Sequence, residues 1–250
     1  MSVEKEPRFF TDETKWNRGL AWYEAHFPEA APIRGESTPD YTKFPAIRGA
    51  PQRIHSVIPD VRLIYLMRDP IERIISHYVD SYSFGRVNGT LDEELAHFDC
   101  HLVNCSRYYM QIEQYMEYFE PEQILVLVSE ELRDDRRSTL QAAFRFLGVD
   151  EDFASSEWET THYAGESLRR KTRLGYGLLR LAETVRESPL RRYLPRQLMT
   201  PIQMFNALSA RKIERPTMDP SLRAELAGYL REDVEKLERL VGRRFEEWSL

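Results

Sequence analysis

A chain of 250 residues with a formal net charge of -6 most simply forms one domain, 1–250, large enough for a sheet covered by helices. Its acidic balance excludes general binding to polyanions such as nucleic acid, so any anion site must be a local basic cluster. Cys100 and Cys105, the only cysteines, are too few for a disulfide scaffold and lack metal-site spacing, so no metal is expected and a reducing, cytoplasmic setting is the default. No apolar run is long enough to cross a bilayer, and the opening MSVEKEPRFF is charged where a signal peptide is hydrophobic. Oligomeric state leaves no trace in the sequence.

In chain order, Lys5-Glu6-Pro7-Arg8-Phe9-Phe10 sets a Lys-Glu pair before two aromatics, with a proline fixing the backbone between them. A carboxylate beside an aromatic patch can be desolvated, which strengthens it as a base; the plainer reading is a charged terminus before a hydrophobic anchor. Gly19–Tyr23 followed by Phe27-Pro28 reads as an amphipathic helix on the core. Pro45, Pro51 and Pro59 divide the next segment into a loop, a short helix around Ala50–Val57 and the entry to a strand.

That strand, Val61–Met67, is an unbroken apolar run suited to burial on both faces of a parallel sheet. It stops at Arg68-Asp69-Pro70, where an Asp able to cap a helix precedes a Pro suited to its first position. Ile71, Ile74, Ile75 and Tyr78 then recur at helical spacing. Ligands of open α/β sheets bind beyond the carboxyl ends of strands, where Arg68 sits, and Ser76 two turns into the helix could share one anion with it. The alternative is an Arg68 paired to Asp69 or Glu72.

Ser81–Leu95 reads as a surface loop leading into a short helix. Tyr108, Ile112, Tyr115, Met116 and Phe119 define one face of a helix opened by Ser106-Arg107-Tyr108 and ended by Pro121. Gln123–Ser129 is a second buried strand, and Thr139–Val149 an amphipathic helix closed by Gly148. Thr160–Arg173 gathers Arg169, Arg170, Lys171 and Arg173, a pattern that alone describes a solvated face. Leu174–Leu208 is helical and rich in Arg and Leu, packing on the core or on a partner or membrane surface. Pro216–Trp248 is a long helix capped near Asp219-Pro220 and ending around Gly242.

Several of these motifs, in this order, resemble sulfotransferases that use 3′-phosphoadenylyl sulfate (PAPS), in particular those acting on heparan sulfate and related glycans. The strand-end Arg68, Asp69-Pro70 and Ser76 eight positions on look like the segment whose Arg and Ser hold the 3′-phosphate. Lys5–Phe10 resembles K-E-P-H-F-F, whose Glu is the proposed general base, a role that falls on Glu6. The family's His is Arg8 here, and Ser37 stands where those enzymes often carry a Lys toward the acceptor, so a highly sulfated polymer is a less apt substrate. Lys5, Arg8 and Ser37 are thereby the acceptor-side candidates. Gly19–Tyr23, Gly35–Tyr41, Glu130-Glu131-Leu132, the Phe146–Val149 ending and the terminal helix match further family segments.

By the same resemblance, Ser106, Arg107 and Tyr108 lie near the nucleotide as phosphate or ribose contacts, with a core role for Tyr108 left open. Arg169 and Arg170 match a basic loop that closes over the 3′-phosphate. The resemblance implies a P-loop-NTPase-like α/β fold, a central parallel sheet flanked by helices, PAPS as donor, no metal, and transfer of a sulfuryl group to a hydroxyl or amine of a glycan or small molecule. The family begins with a strand, a K-x-G-T-(S/T) loop and a helix; none of the eleven glycines stands in such a loop. The expectation is therefore a recorded start that is too late by about thirty to forty residues. The alternative is a short remnant or binding module keeping only the 3′-phosphate half-site.

Overall fold

The structure, a computed structural model, describes residues 1–31, 33–155, 158, 169–170 and 211–250, with 169–170 and Arg211 described by their backbone alone. The elements are α1 (Glu13–Trp16), α2 (Leu20–Glu24), α3 (Ala50–Val57), β1 (Leu63–Met67), α4 (Pro70–Ser83), α5 (Leu91–Glu94), α6 (His101–Asn104), α7 (Tyr108–Met116), β2 (Ile124–Val128), α8 (Ser129–Asp134), α9 (Arg136–Leu147), β3 (Arg169–Arg170), β4 (Arg211–Lys212) and α10 (Pro220–Val241). Packing groups the chain into two compact units. The first comprises Met1–Ile71, Phe98–Phe153 and Ala224–Leu250; the second comprises Glu72–His97 and Ala154–Arg223.

In the first unit β1 and β2 pair in parallel, in register from Leu63 opposite Ile124 to Met67 opposite Val128. This is the α/β architecture expected from the two apolar runs. Burial of β1 on both faces is not what the structure shows: Ile64 and Leu66 are 42% and 47% exposed, while Met67 is buried. Among the described residues the face carrying Tyr65 and Met67 is the one that meets a packed layer, and an all-apolar run cannot tell one covered face from two.

Helix α7 supplies that layer and joins two aromatic-rich clusters. Tyr108 and Ile112 pack with Met67, Val128, Val234, Leu237 and Trp248. One to two turns later Tyr115, followed by Phe119 beyond the helix end, packs with Phe9, Phe10, Tyr23 and Ile54. The start of α7 is capped from a distance: Asp233 on α10 accepts from the Tyr109 and Met110 amides at 2.9 and 3.0 Å. Those amides would otherwise be orphan donors of the first turn. Burial pushes the Asp233 carboxyl above its ordinary range, against the pull of the two amides and Arg107.

In the second unit the α4 residues Ile74, Ile75 and Tyr78 are buried, and the Tyr78 hydroxyl donates to the Gly89 carbonyl at 2.8 Å. Helix α4 runs on to Ser83, consuming the first residues of the expected loop, and α5 then begins with a Thr90/Glu93 capping box. The Asp219 carboxylate accepts from the Ser221 and Leu222 amides at the start of α10, and Gly242 after its last turn has φ 71°, both as the sequence indicates. Most of Thr160–Arg173 and the Leu174–Leu208 segment lie outside the described residues. Among the described residues no helix is long and apolar enough to cross a membrane.

Candidate functional site

Two parts of the first unit carry sequence-predicted site residues. In one, the rings of Phe9 and Phe10 are sunk in the core, Phe9 stacking on Tyr23 with centroids 4.6 Å apart. They pin the chain from inside, so that Pro7 of the Glu6-Pro7-Arg8 turn is buried while Glu6 and Arg8 beside it reach the surface. Glu6 and Arg8 have φ of 60° and 56°, the left-handed region that side chains with a Cβ rarely adopt. Glu6 is doubly unusual, because a residue before proline favours extended backbone.

Three sets of contacts hold this turn. The Lys15 ammonium donates to the Pro7 carbonyl at 2.7 Å. The Arg8 carbonyl accepts from the amides of Thr11 and Asp12 at 3.2 and 2.9 Å. The Arg8 amide donates to the Thr38 hydroxyl at 3.5 Å, which itself donates to Glu36 at 3.0 Å. Glu36 also accepts from the Tyr23 and Tyr41 hydroxyls at 2.7 and 2.8 Å. Burial, with the Glu36 carboxylate beside them, pushes both phenols well above their ordinary range. In this arrangement Glu36 buttresses the turn.

The side chains at the turn form a row of alternating charge. An Arg8 guanidinium nitrogen lies 3.5 Å from a Glu6 carboxylate oxygen, Arg8 Nε lies 3.4 Å from Asp40, and Lys43 Nζ lies 2.5 Å from the other Asp40 oxygen. The Glu6 side chain is 30% exposed, so a hydroxyl arriving from solvent can reach it. Its close neighbour is a guanidinium; the aromatic patch expected beside it faces inward. Lys5 and Ser37 are exposed. Asp40, Lys43, Lys15 and Thr38 were not singled out from the sequence, although the i, i+3 spacing of Asp40 and Lys43 in the turn after Thr38-Pro39 was a usable signal.

The second part is the carboxyl end of β1. Arg68 is half-buried, and its peptide groups are gripped by one side chain. The Tyr108 hydroxyl donates to the Arg68 carbonyl at 2.8 Å and accepts from the Arg68 amide at 3.4 Å. The Tyr108 ring is 1% exposed, with Tyr65 and Trp248 at centroid distances of 5.8 and 5.7 Å. The two carboxylates nearest Arg68 in sequence take partners distant in the chain. Asp69 accepts from the Ser249 amide and hydroxyl, both at 2.6 Å. Glu72, in the second unit, pairs with Arg215, and with Arg223 at 4.0 Å.

Ser106 is fully buried with its hydroxyl on the Leu102 carbonyl at 3.4 Å. Arg107 lies 3.9 Å from Asp233, its guanidinium over the Tyr229 ring. In the second unit, Ser76 is half-buried on α4, and the Arg169–Arg170 backbone pairs antiparallel with Arg211–Lys212.

The Sulfotransferase domain family matches residues 3–189. The chain is 30% identical over 162 residues to heparan sulfate glucosamine 3-O-sulfotransferase 6 of Homo sapiens, covering 59% of this chain and 44% of that protein. It is 26% identical over 163 residues to the bifunctional heparan sulfate N-deacetylase/N-sulfotransferase 3 of Homo sapiens, covering 58% and 18%. The chain thus spans less than half the length of these curated relatives. Among solved structures, a sulfotransferase from Alicyclobacillus acidocaldarius superposes with a TM-score of 0.64 at 20% identity, covering 100% of this chain and 87% of that one, and so shares its fold. With three quarters of its length matched, the chain belongs to the sulfotransferase domain family.

Proposed function

We propose that this chain serves transfer of a sulfuryl group from PAPS to a hydroxyl, or an amine, of a glycan or small-molecule acceptor. When bound, PAPS supplies an activated sulfur whose bond to the 5′-phosphate oxygen breaks as the acceptor oxygen attacks. Glu6 takes the proton of that oxygen onto its carboxylate. Lys5, Arg8 and Ser37 face the acceptor, and the Arg8–Asp40–Lys43 row adds fixed charges beside the base. The assignment of Arg68 and Ser76 to the 3′-phosphate rests on the resemblance of their sequence segment to that of the family. The resemblance assigns Arg169 or Arg170 to closing over that phosphate; Tyr108 acts through the Arg68 backbone, whereas Ser106, expected as a phosphate or ribose contact, is fully buried with its hydroxyl on the Leu102 carbonyl and is not assigned to the nucleotide. On the donor side, the Arg68 peptide is fixed at the end of β1 by the Tyr108 hydroxyl.

The observation that carries this reading is the left-handed backbone at Glu6 and Arg8 in the segment that matches the base motif. Strain of this kind is retained where surrounding structure over-determines it, and it clusters at functional sites. The test is transfer of labelled sulfate to a panel of glycans and small alcohols. Glu6→Gln should reduce turnover by about 100- to 10,000-fold, the worth of a positioned base, with affinity for 3′-phosphoadenosine 5′-phosphate unchanged. Turnover by Glu6→Gln close to wild type would remove Glu6 from the role. Nucleotide binding without transfer to any acceptor would support the binding-module alternative.

A further inference from the structure

The turn that presents Glu6 has left-handed backbone on both sides of Pro7, and the Lys15 ammonium reaches the Pro7 carbonyl. We propose that Lys15 is a positioning residue for Glu6. The inference rests on Glu6 as the base and concerns what holds it in place. The Pro7 carbonyl, between left-handed Glu6 and left-handed Arg8, accepts from Lys15 Nζ at 2.7 Å.

Lys15 is itself fixed at both ends. Its amide N–H donates to the capping Asp12 carboxylate at 3.2 Å. Its ammonium also donates to Glu4 at 3.2 Å, and Glu4 is held from the other side by His26 Nε2 at 3.1 Å. The Lys15 side chain is 22% exposed and lies 6.0 Å from the Trp22 ring centroid. It is therefore spent on the backbone and on Glu4 rather than extended toward solvent, as an exposed helix lysine would be. Without it, Pro7 loses its charge-assisted bond, and Glu6 can return to the extended backbone favoured before proline. A base displaced by about 1 Å loses about two orders of magnitude in rate.

The experiment uses Lys15→Met, which keeps the stem and removes the donor, together with Lys15→Arg, Glu6→Gln and the Lys15→Met/Glu6→Gln double variant. Backbone Cα and Cβ chemical shifts of residues 6 and 8 report φ directly and need no turnover; labelled sulfate transfer gives kcat and KM. In Lys15→Met the shifts should move from left-handed to extended values, and kcat should fall by about tenfold or more with donor KM within about twofold. Lys15→Arg should restore both, because a guanidinium can donate to the same carbonyl. In the Glu6→Gln background, Lys15→Met should add less than about a twofold effect.

Unchanged shifts, or a lower melting temperature with unchanged kcat per folded molecule, would overturn the proposal. A Glu6→Gln variant that turns over normally would defeat the base reading instead, and with it the positioning role, whatever the shifts show. The two failures are thus read from different samples.

Discussion

Tyr108→Phe isolates the link between the packed core and the strand end. The ring stays between Tyr65 and Trp248, so packing is kept, and the only loss is the hydroxyl that serves both peptide groups of Arg68. The 2.8 Å bond to the Arg68 carbonyl is a full hydrogen bond and the 3.4 Å contact a weak one. Their loss should cost about 1–2 kcal/mol, combining the net value of one bond with partial desolvation of an unpaired carbonyl. For a chain of this size that lowers the melting temperature by about 2–8 °C. If the hydroxyl also pre-orders Arg68, ligand binding must then supply that order at about 0.5–1.5 kcal/mol, which is about 2- to 12-fold weaker affinity. Scanning calorimetry reads the first effect, and titration with 3′-phosphoadenosine 5′-phosphate reads the second. A variant that melts lower and binds with wild-type affinity would show that Tyr108 serves the fold alone.

Two further outcomes test the scaffold. Phe9→Ala removes a ring that is 1% exposed and stacked on Tyr23; it should cost about 3–5 kcal/mol, read from denaturant midpoints, and a loss below about 1 kcal/mol would contradict its role as the pin of the turn. Asp233 has a folded-state carboxyl raised above its ordinary value of 3.8 by burial, so above that pH the folded protein binds more protons than the unfolded chain. Its contribution is greatest below that pH and is lost as pH rises through the raised value. The stability of wild type relative to Asp233→Ala should therefore decline over that window. A difference that grows with pH would mean that the Tyr109 and Met110 amides and Arg107 outweigh burial.

Elements set by local chemistry were legible in the sequence. The Tyr108–Phe119 face, the Asp219-Pro220 start and Gly242 end of α10, and Gly148 closing α9 with φ 72° all follow from spacing and backbone preference. The partners of polar groups were not legible, because they are set by the fold across long stretches of chain. Asp69, which reads as a cap residue, takes Ser249 180 positions away. Tyr108, which sits at the head of a motif, grips Arg68 forty positions away. Nothing local pairs Asp233 with the start of α7. The same distinction holds at the turn: the candidacy of Glu6 comes from the resemblance, but its Arg8 contact and the Lys15 grip on Pro7 depend on where the two phenylalanines anchor the chain.

The central claim, a 3′-phosphoadenosine site at the end of β1, is tested most directly by calorimetric titration of wild type and Arg68→Ala with 3′-phosphoadenosine 5′-phosphate. Removal of a charge-assisted phosphate contact should weaken binding by about 1.5–3 kcal/mol, about 10- to 150-fold. Equal affinity in the two proteins would contradict it.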